Sequence, residues 1–309
     1  MASPTIQRII GEVSRYVVGM EDVLVLMLTA MLTEGHILIE GPTGTGKTHL
    51  AKVFSSTIGG SFSRIQMTPD LLPADVIGTV YYDIVSKAWQ LKKGPIFANV
   101  ILVDELNRAT PKAQAALIEA MQEMQVSIEG KTYELPRPFL VIATQLPYGG
   151  EGTYPLTDVQ RDRFAYSVQV SYPSREQELA IISSIDFIEK PRVVQVASVS
   201  ELVKLIEAVK KVRVVDKVKN YILDIVARVR SLDEVSSGPG PRASIWLLKG
   251  SRAISFLEGR DYVIPDDVKK LAYHVLPHRI KVRLEYQADN ISPLSIVEKA
   301  LKEVEVPKY

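Results

Sequence analysis

One segment, Gly41-Pro-Thr-Gly-Thr-Gly-Lys-Thr48, constrains the fold of this 309-residue chain more than any other. It has the form G-x-x-x-x-G-K-T and lies between a short apolar run, His36-Ile-Leu-Ile-Glu40, and a helical start, His49-Leu-Ala-Lys-Val-Phe54. In the order strand, glycine loop, helix, the loop turns its backbone N–H groups inward around phosphate oxygens, and the helix adds the positive end of its dipole. Lys47 then brings a cation to the β- and γ-phosphates, and the Thr48 hydroxyl can ligate Mg²⁺. The cofactor-binding residues expected here are Gly41, Pro42, Thr43, Gly44, Thr45, Gly46, Lys47, Thr48 and His49.

Two further apolar runs, Val100-Ile-Leu-Val103 and Phe139-Leu-Val-Ile-Ala143, end at Asp104-Glu105 and Thr144. Unbroken apolar runs ending at polar residues fit parallel strands buried on both faces, with chemistry at their C-terminal ends. The apolar spacing from Val23 to Leu32 predicts a helix before the first strand. That from Pro111 to Met124 predicts one between the other two, capped by Thr110 with Pro111 at its first position. A phosphate loop needs an acid for the metal and a group that activates water. Asp104 suits the first task and Glu105 the second, and a Glu directly after the Asp argues against a GTPase or a nucleotide kinase.

Two hairpins are expected. Gln125 to Leu135 alternates on each side of Glu129-Gly130, a turn signal, and a looser one runs from Gly78 to Leu91. After Tyr172-Pro-Ser-Arg175 the periodicity is helical, over Arg175 to Ile185, Val199 to Val212, Lys217 to Leu232, Ala243 to Glu258 and Pro265 to Val275. An α/β core with a parallel sheet over residues 1–172, then a helical domain over 173–309, is the resulting expectation.

Composition removes other classes. There is no cysteine, hence no disulfide framework, thiolate nucleophile or Cys-based metal site. Lys plus Arg number 37 against 36 Asp plus Glu, a net charge of +1, which advertises neither a polyanion nor a membrane surface as partner. Val23 to Leu32 is far shorter than the roughly 20 residues that cross a bilayer, and the first residues lack a signal-peptide layout, so a cytoplasmic protein without a membrane span is expected. His36, His49, His274 and His278 show no metal-ligand spacing. The basic stretches Lys210-Lys211 and Arg279 to Arg283 are expected to be solvated helix faces or subunit contacts.

Several ordered stretches together resemble the MoxR family of AAA+ ATPases. They are Arg64-Ile-Gln-Met-Thr-Pro-Asp-Leu-Leu-Pro-Ala-Asp75, Gly94-Pro-Ile-Phe-Ala98, Asp104-Glu-Leu-Asn-Arg108, Ala120-Met-Gln-Glu123, Glu151-Gly-Thr-Tyr-Pro-Leu156 and Asp162-Arg-Phe164, followed by Gly238-Pro-Gly-Pro-Arg-Ala243 and Val275-Leu-Pro-His-Arg279. The resemblance covers nearly the whole chain from Val18-Gly19 onward. It implies a P-loop AAA+ core of three αβα layers followed by an all-α lid, ATP and Mg²⁺ as cofactors, and a homo-oligomer, a hexameric ring. It further implies chaperone-like remodelling or assembly of protein clients, with a von Willebrand factor A domain protein as partner. Arg163 is similar to the arginine finger offered to a neighbouring subunit, with Arg161 able to share or replace it. Arg242 is similar to the second sensor, Val18 and Gly19 would lie near the adenine, and both hairpins would point to the pore of the ring.

One position departs from the family. Where Ala-Thr-Gln-Asn-Pro is usual, this chain has Ala143-Thr-Gln-Leu-Pro147, and leucine cannot hydrogen-bond water or phosphate. Either Thr144 or Gln145 takes over from Leu146, or hydrolysis is slow. The catalytic set expected is Glu105, Lys47, Arg163, Arg242 and Gln145, with Thr48 and Asp104 on the metal. A nucleic-acid-directed AAA+ motor, weakened by the neutral charge, and a nucleotide-gated scaffold with weak hydrolysis are the alternatives.

Overall fold

The computed structural model describes residues 3–146, 153–287 and 289–308. Pro147, Glu151 and Gly152, which belong to two of the stretches quoted above, lie outside them. Helix α1 (Pro4–Ser14) has Pro4 in its first turn, and α2 (Glu21–Thr33) begins two residues ahead of Val23. Glu21 and Asp22 occupy the first turn of α2, where acids complement the helix dipole. Strand β1 (Ile37–Glu40) feeds the glycine loop, which opens α3 (Lys47–Thr57). Then come β2 (Phe62–Gln66), the short α4 (Pro73–Ile77) and the hairpin β3 (Gly78–Asp83) with β4 (Ala88–Lys93). Strand β5 (Val100–Asp104) is buried at every residue and is followed by α5 (Pro111–Glu123), whose Thr110 hydroxyl accepts from the Ala113 N–H as a cap.

A tight hairpin, β6 (Gln125–Ile128) with β7 (Lys131–Glu134), turns at Glu129 and Gly130, whose φ of 48° and 75° suit a two-residue turn matched to strand twist. Strand β8 (Leu140–Gln145) is again buried throughout; α6 (Asp158–Arg161) and β9 (Tyr166–Gln169) complete the sheet region.

The sheet has the order β2-β5-β8-β1-β9 with all pairs parallel. Alternation divides its side chains between two cores. Ile37, Ile39, Val100, Leu102, Leu140 and Ile142 face the one built with α1, α2 and α3; Leu38, Ile101, Val103, Val141 and Ala143 face the one built with α5. Strands β2 and β9 are the edges and were not expected, because polar residues interrupt their apolar ones.

Beyond the sheet lie α7 (Arg175–Ser183), α8 (Ile185–Glu189), α9 (Val199–Lys210) and α10 (Asp216–Ser231). The expected single helix from Arg175 to Ile185 breaks at Ser184, whose φ of −116° is not helical. Next are β10 (Val235–Ser237), α11 (Pro241–Leu257), α12 (Pro265–Val275), β11 (Lys281–Val282), α13 (Leu284–Gln287) and α14 (Pro293–Glu303), with β10 and β11 forming a small antiparallel ribbon. Helices α9 and α11 pack on α2, so the α2 face of the sheet and the C-terminal helices share one apolar core.

Candidate nucleotide site

The glycine loop leaves β1 at Gly41 and enters α3 at Gly46. Gly44 and Gly46 hold φ of 78° and 83°, the left-handed region that favours glycine, and no atom approaches a Cβ on Gly44 within 4 Å. Gly41 is crowded instead: a Cβ there would lie 2.2 Å from the Val170 carbonyl oxygen, so the loop passes against the end of β9. Among the described residues no side chain caps α3, which leaves its first-turn N–H groups as donors at the positive end of the helix. Lys47 Nζ donates to the Pro42 carbonyl at 2.6 Å and to Thr45 Oγ1 at 3.1 Å, both neutral acceptors. Partial burial pulls its pKa down, opposed by the charge of Asp104. An ammonium with only neutral partners, beside uncapped N–H groups, fits an anionic ligand of phosphate size.

Asp104 and Glu105 end β5. Asp104 is buried, and its Oδ2 accepts from Arg64 Nε at 2.7 Å. Glu105 takes a left-handed φ of 56°, uncommon outside glycine. Its carboxylate accepts from Gln66 Nε2 at 3.1 Å and pairs with Arg108 at 3.1 Å. Among the described residues no three His, Asp or Glu side chains form a metal cluster. One carboxylate and one hydroxyl, Asp104 and Thr48, with phosphate and water oxygens, are the donor set that Mg²⁺ takes in nucleotide sites.

Thr144, at the end of β8, joins the two acids: its hydroxyl accepts from the Glu105 N–H at 2.9 Å and donates to Asp104 Oδ1 at 3.3 Å. Gln145, the next residue, is paired in register with Glu40 of β1, and its side chain bonds the Glu40 carboxylate. Burial raises the Glu40 pKa, while the charge of Arg161 and the Gln145 bond oppose the rise. Backbone groups of Leu146 exchange hydrogen bonds with the Asn107 amide at 3.3 and 3.4 Å.

Four arginines gather at the far end of α6. Among the described residues Arg161 makes only a loose pair with Asp158, at 3.8 Å, and its buried Nε has no hydrogen-bond partner. Arg163 is partly buried and forms no side-chain hydrogen bond or ion pair among the described residues. Arg242, in the first turn of α11, is bound to Asp162 Oδ2, so the structure brings it to α6 and not to Lys47. Arg279 is a correction: its side chain is 1% exposed, neither a solvated face nor a free surface. Its Nε donates to Asp162 Oδ1 at 2.9 Å. His278 beside it is buried as well, with its pKa held well below the usual value by burial and the Arg279 charge.

Val18 and Gly19 line a cleft of about 1230 Å³ that reaches Gly44, Thr45, Gly46 and His49 of the loop. Tyr16 and Ile188 contribute its apolar wall, and α12 closes the other side with Lys269 and Tyr273. His49 Nε2 hydrogen-bonds the Tyr16 carbonyl at 3.1 Å, tying the loop helix to this wall. Sequence reasoning missed Arg64, Gln66, Glu40, Asp162 and Arg279 as site residues. Arg64 and Gln66 alternate on β2, a signal available once that segment is read as a strand.

Residues 36–166 match the family described as ATPases associated with various cellular activities (AAA), and residues 229–300 match the AAA lid domain. Chaperone MoxR1 of Mycobacterium tuberculosis is 40% identical over 98% of this chain and 83% of its own length. The uncharacterised protein YeaC of Bacillus subtilis is also 40% identical, over 98% of this chain and 95% of that one. A crystal structure from Cytophaga hutchinsonii, described as a candidate ATPase, superposes with a TM-score of 0.92 at 38% identity, covering 98% of this chain and 95% of the other. Among the described residues no helix is long and apolar enough to cross a membrane.

Proposed function

Because the chain belongs to the MoxR family of AAA+ ATPases, we propose that it binds ATP with Mg²⁺ and hydrolyses it to drive the remodelling or assembly of protein clients. The observation that carries hydrolysis is the linkage of Asp104, Glu105 and Thr144 at the ends of β5 and β8, adjacent strands on one side of the β1 strand that feeds the phosphate loop. Lys47 and the loop N–H groups bind the β- and γ-phosphates, and Val18 and Gly19 border the adenine end of the cleft. Thr48 and Asp104 hold Mg²⁺, which supplies neutralisation of phosphate charge. Glu105 accepts the proton of the water whose oxygen bonds to the γ-phosphorus as the bond to the bridging oxygen breaks. The vacancy left by Leu146 is filled by Thr144 through the two acids, or by Gln145 through Glu40.

Arg163 acts in this reading as a finger on the neighbouring subunit's nucleotide, since its guanidinium has no partner in its own chain among the described residues. Arg242 is the second sensor and must exchange Asp162 for phosphate to act. A closed ring with a heterologous interface follows from a finger supplied in trans, and six subunits is the number the family membership suggests. The division is a core over 1–172 and a lid over 173–309, working in the cytoplasm. The hairpin β3–β4 serves the client: Ile84 and Val85 at its tip are 81% and 93% exposed, and Trp89 stacks edge-on with Tyr82. A protein with a von Willebrand factor A domain is the partner this family membership suggests.

The deciding experiment is Glu105→Gln. ATP binding is expected to persist while phosphate release falls at least about a hundredfold, the scale of losing a catalytic base. Hydrolysis at the wild-type rate in that variant removes Glu105 from the reaction.

A further inference from the structure

Asp162 sits at the end of α6, immediately before Arg163, and has two cationic partners of different character. Arg279 donates to one of its oxygens and is itself 1% exposed; Arg242 bonds the other and is 40% exposed. Arg279 is anchored several times over. Besides Asp162 Oδ1, its Nη2 donates to the carbonyls of Asp162, at 3.0 Å, and of Phe164, while Nη1 donates to the carbonyls of Val275 and of Ala165, the latter at 3.3 Å. The carbonyls of Asp162 and Phe164 bracket Arg163, so one buried guanidinium holds the backbone on both sides of that residue. A buried cation with this many bonds cannot leave without exposing an unpaired charge, and the one carboxylate among its partners is Asp162.

Arg242 is bound far less. It stands in the first turn of α11 after Gly238-Pro239-Gly240, and among the described residues Asp162 is its one side-chain partner. The loop before it is pinned separately, by Arg230 Nε on the Pro239 carbonyl at 2.7 Å. A cavity of about 250 Å³, lined by Asp162, Arg161 and Arg279 on one side and Ser237, Gly238 and Gly240 on the other, leaves the contact between α6 and this loop loosely filled. The Asp162 carboxylate therefore has one permanent cation and one that can be released.

We infer that Asp162 is a positioning residue that holds Arg242 in competition with the γ-phosphate of ATP, and that Arg279 keeps Asp162 in place for that task. The inference rests on the nucleotide-site reading and goes beyond it: ATP binding must first dissolve an ion pair that ties α11 to α6. Each molecule of ATP is thus bound more weakly than the phosphate contacts alone would allow, and nucleotide release restores the latch.

The test is a two-by-two comparison in the Glu105→Gln background, reading the affinity for N-methylanthraniloyl-ATP with Mg²⁺ by fluorescence titration. Asp162→Asn keeps an oxygen for Arg279 but loses the charge that holds Arg242. It should tighten binding about fivefold, the scale of one partly exposed ion pair. In an Arg242→Ala chain the same substitution should change nothing. Weaker or unchanged binding in the Arg242 chain, or an equal change in both, overturns the inference, since a structural loss would act regardless of Arg242. If Asp162→Asn yields no folded protein, Arg279→Lys is read in the same two backgrounds: tightening that requires Arg242 supports the latch, and any other pattern overturns it. Failure of the Glu105→Gln parent to bind nucleotide overturns the site reading and the latch together. Binding by the parent with a flat Asp162 response overturns the latch alone.

Discussion

Replacing Thr144 by Val removes one hydroxyl and nearly nothing of the shape. Thr144 is 4% exposed, and its hydroxyl bridges the Glu105 N–H at 2.9 Å and Asp104 Oδ1 at 3.3 Å. The longer contact contributes less, because Asp104 retains Arg64 at 2.7 Å. The main loss is a donor left without a partner at Glu105, so a destabilisation of about 1–2 kcal/mol is expected, within the usual range for one orphaned group. The effect on turnover should be larger than on nucleotide affinity. Glu105 sits in a left-handed conformation that costs a non-glycine residue roughly 1 kcal/mol, and the lost bond is part of what keeps it there. A ten- to hundredfold fall in steady-state phosphate release, about 1.4–2.8 kcal/mol in barrier, should accompany an almost unchanged affinity for ATP. Urea denaturation followed by circular dichroism gives the first quantity and phosphate release the second; Thr144→Ser should restore both. Turnover within twofold of wild type in Thr144→Val, with the loss appearing instead in Gln145→Leu, refutes the reasoning and hands the role vacated at Leu146 to Gln145.

Acid should destabilise the fold through His36. Its Nδ1 accepts from the Val141 N–H at 3.1 Å and its Nε2–H donates to the Met121 carbonyl at 2.9 Å, a neutral ring, and burial lowers its pKa to about 4. The unfolded chain, near 6.5, protonates first on acidification, so this stability is complete above about pH 6.5 and is lost as the pH falls toward 4, by about 2 kcal/mol at pH 5. Guanidinium midpoints at pH 7.5 and 5 read it; a His36→Gln chain with an undiminished pH slope contradicts it. The proposed finger predicts complementation between two inactive chains, Lys47→Ala and Arg163→Ala. Mixed rings should recover phosphate release, because each Lys47→Ala subunit lends Arg163 to a neighbour with an intact loop, and mixtures as inert as their components place Arg163 in its own subunit's site or outside the reaction.

The three central strands were legible because β1, β5 and β8 are buried on both faces and must be apolar along their length. The edge strands were not: Arg64 and Gln66 interrupt β2, and Gln169 ends β9, as expected where one face or flank meets water. The glycine loop is a local pattern, and its Gly44 and Gly46 conformations follow from residue type. Arg279 illustrates the opposite limit. Its basic neighbours suggested a solvated stretch, and the carboxylate that buries it is 117 residues earlier, a pairing that no local pattern records. Likewise, Gln145 and Glu40 meet only because two strands distant in sequence lie in register. Leu146 could be recognised as a departure from sequence, but the bridging by Thr144 needed the positions of both acids.

Strand β9 has a consequence for which parts of this chain can change length. Its four residues run beside β1, with Glu40 opposite Gln169, and begin three residues after Arg163. At the other end, Val170 donates to the Glu40 carbonyl at 2.8 Å and presses its own carbonyl against Gly41. Adding or removing one residue there would turn every side chain of the strand to the opposite face and shift Asp162 relative to Arg242 and Arg279. Insertions are therefore intolerable in this short ruler, whereas a change of length at the tip of β3–β4, whose Ile84 and Val85 are 81% and 93% exposed, would leave the sheet register and the nucleotide loop where they are.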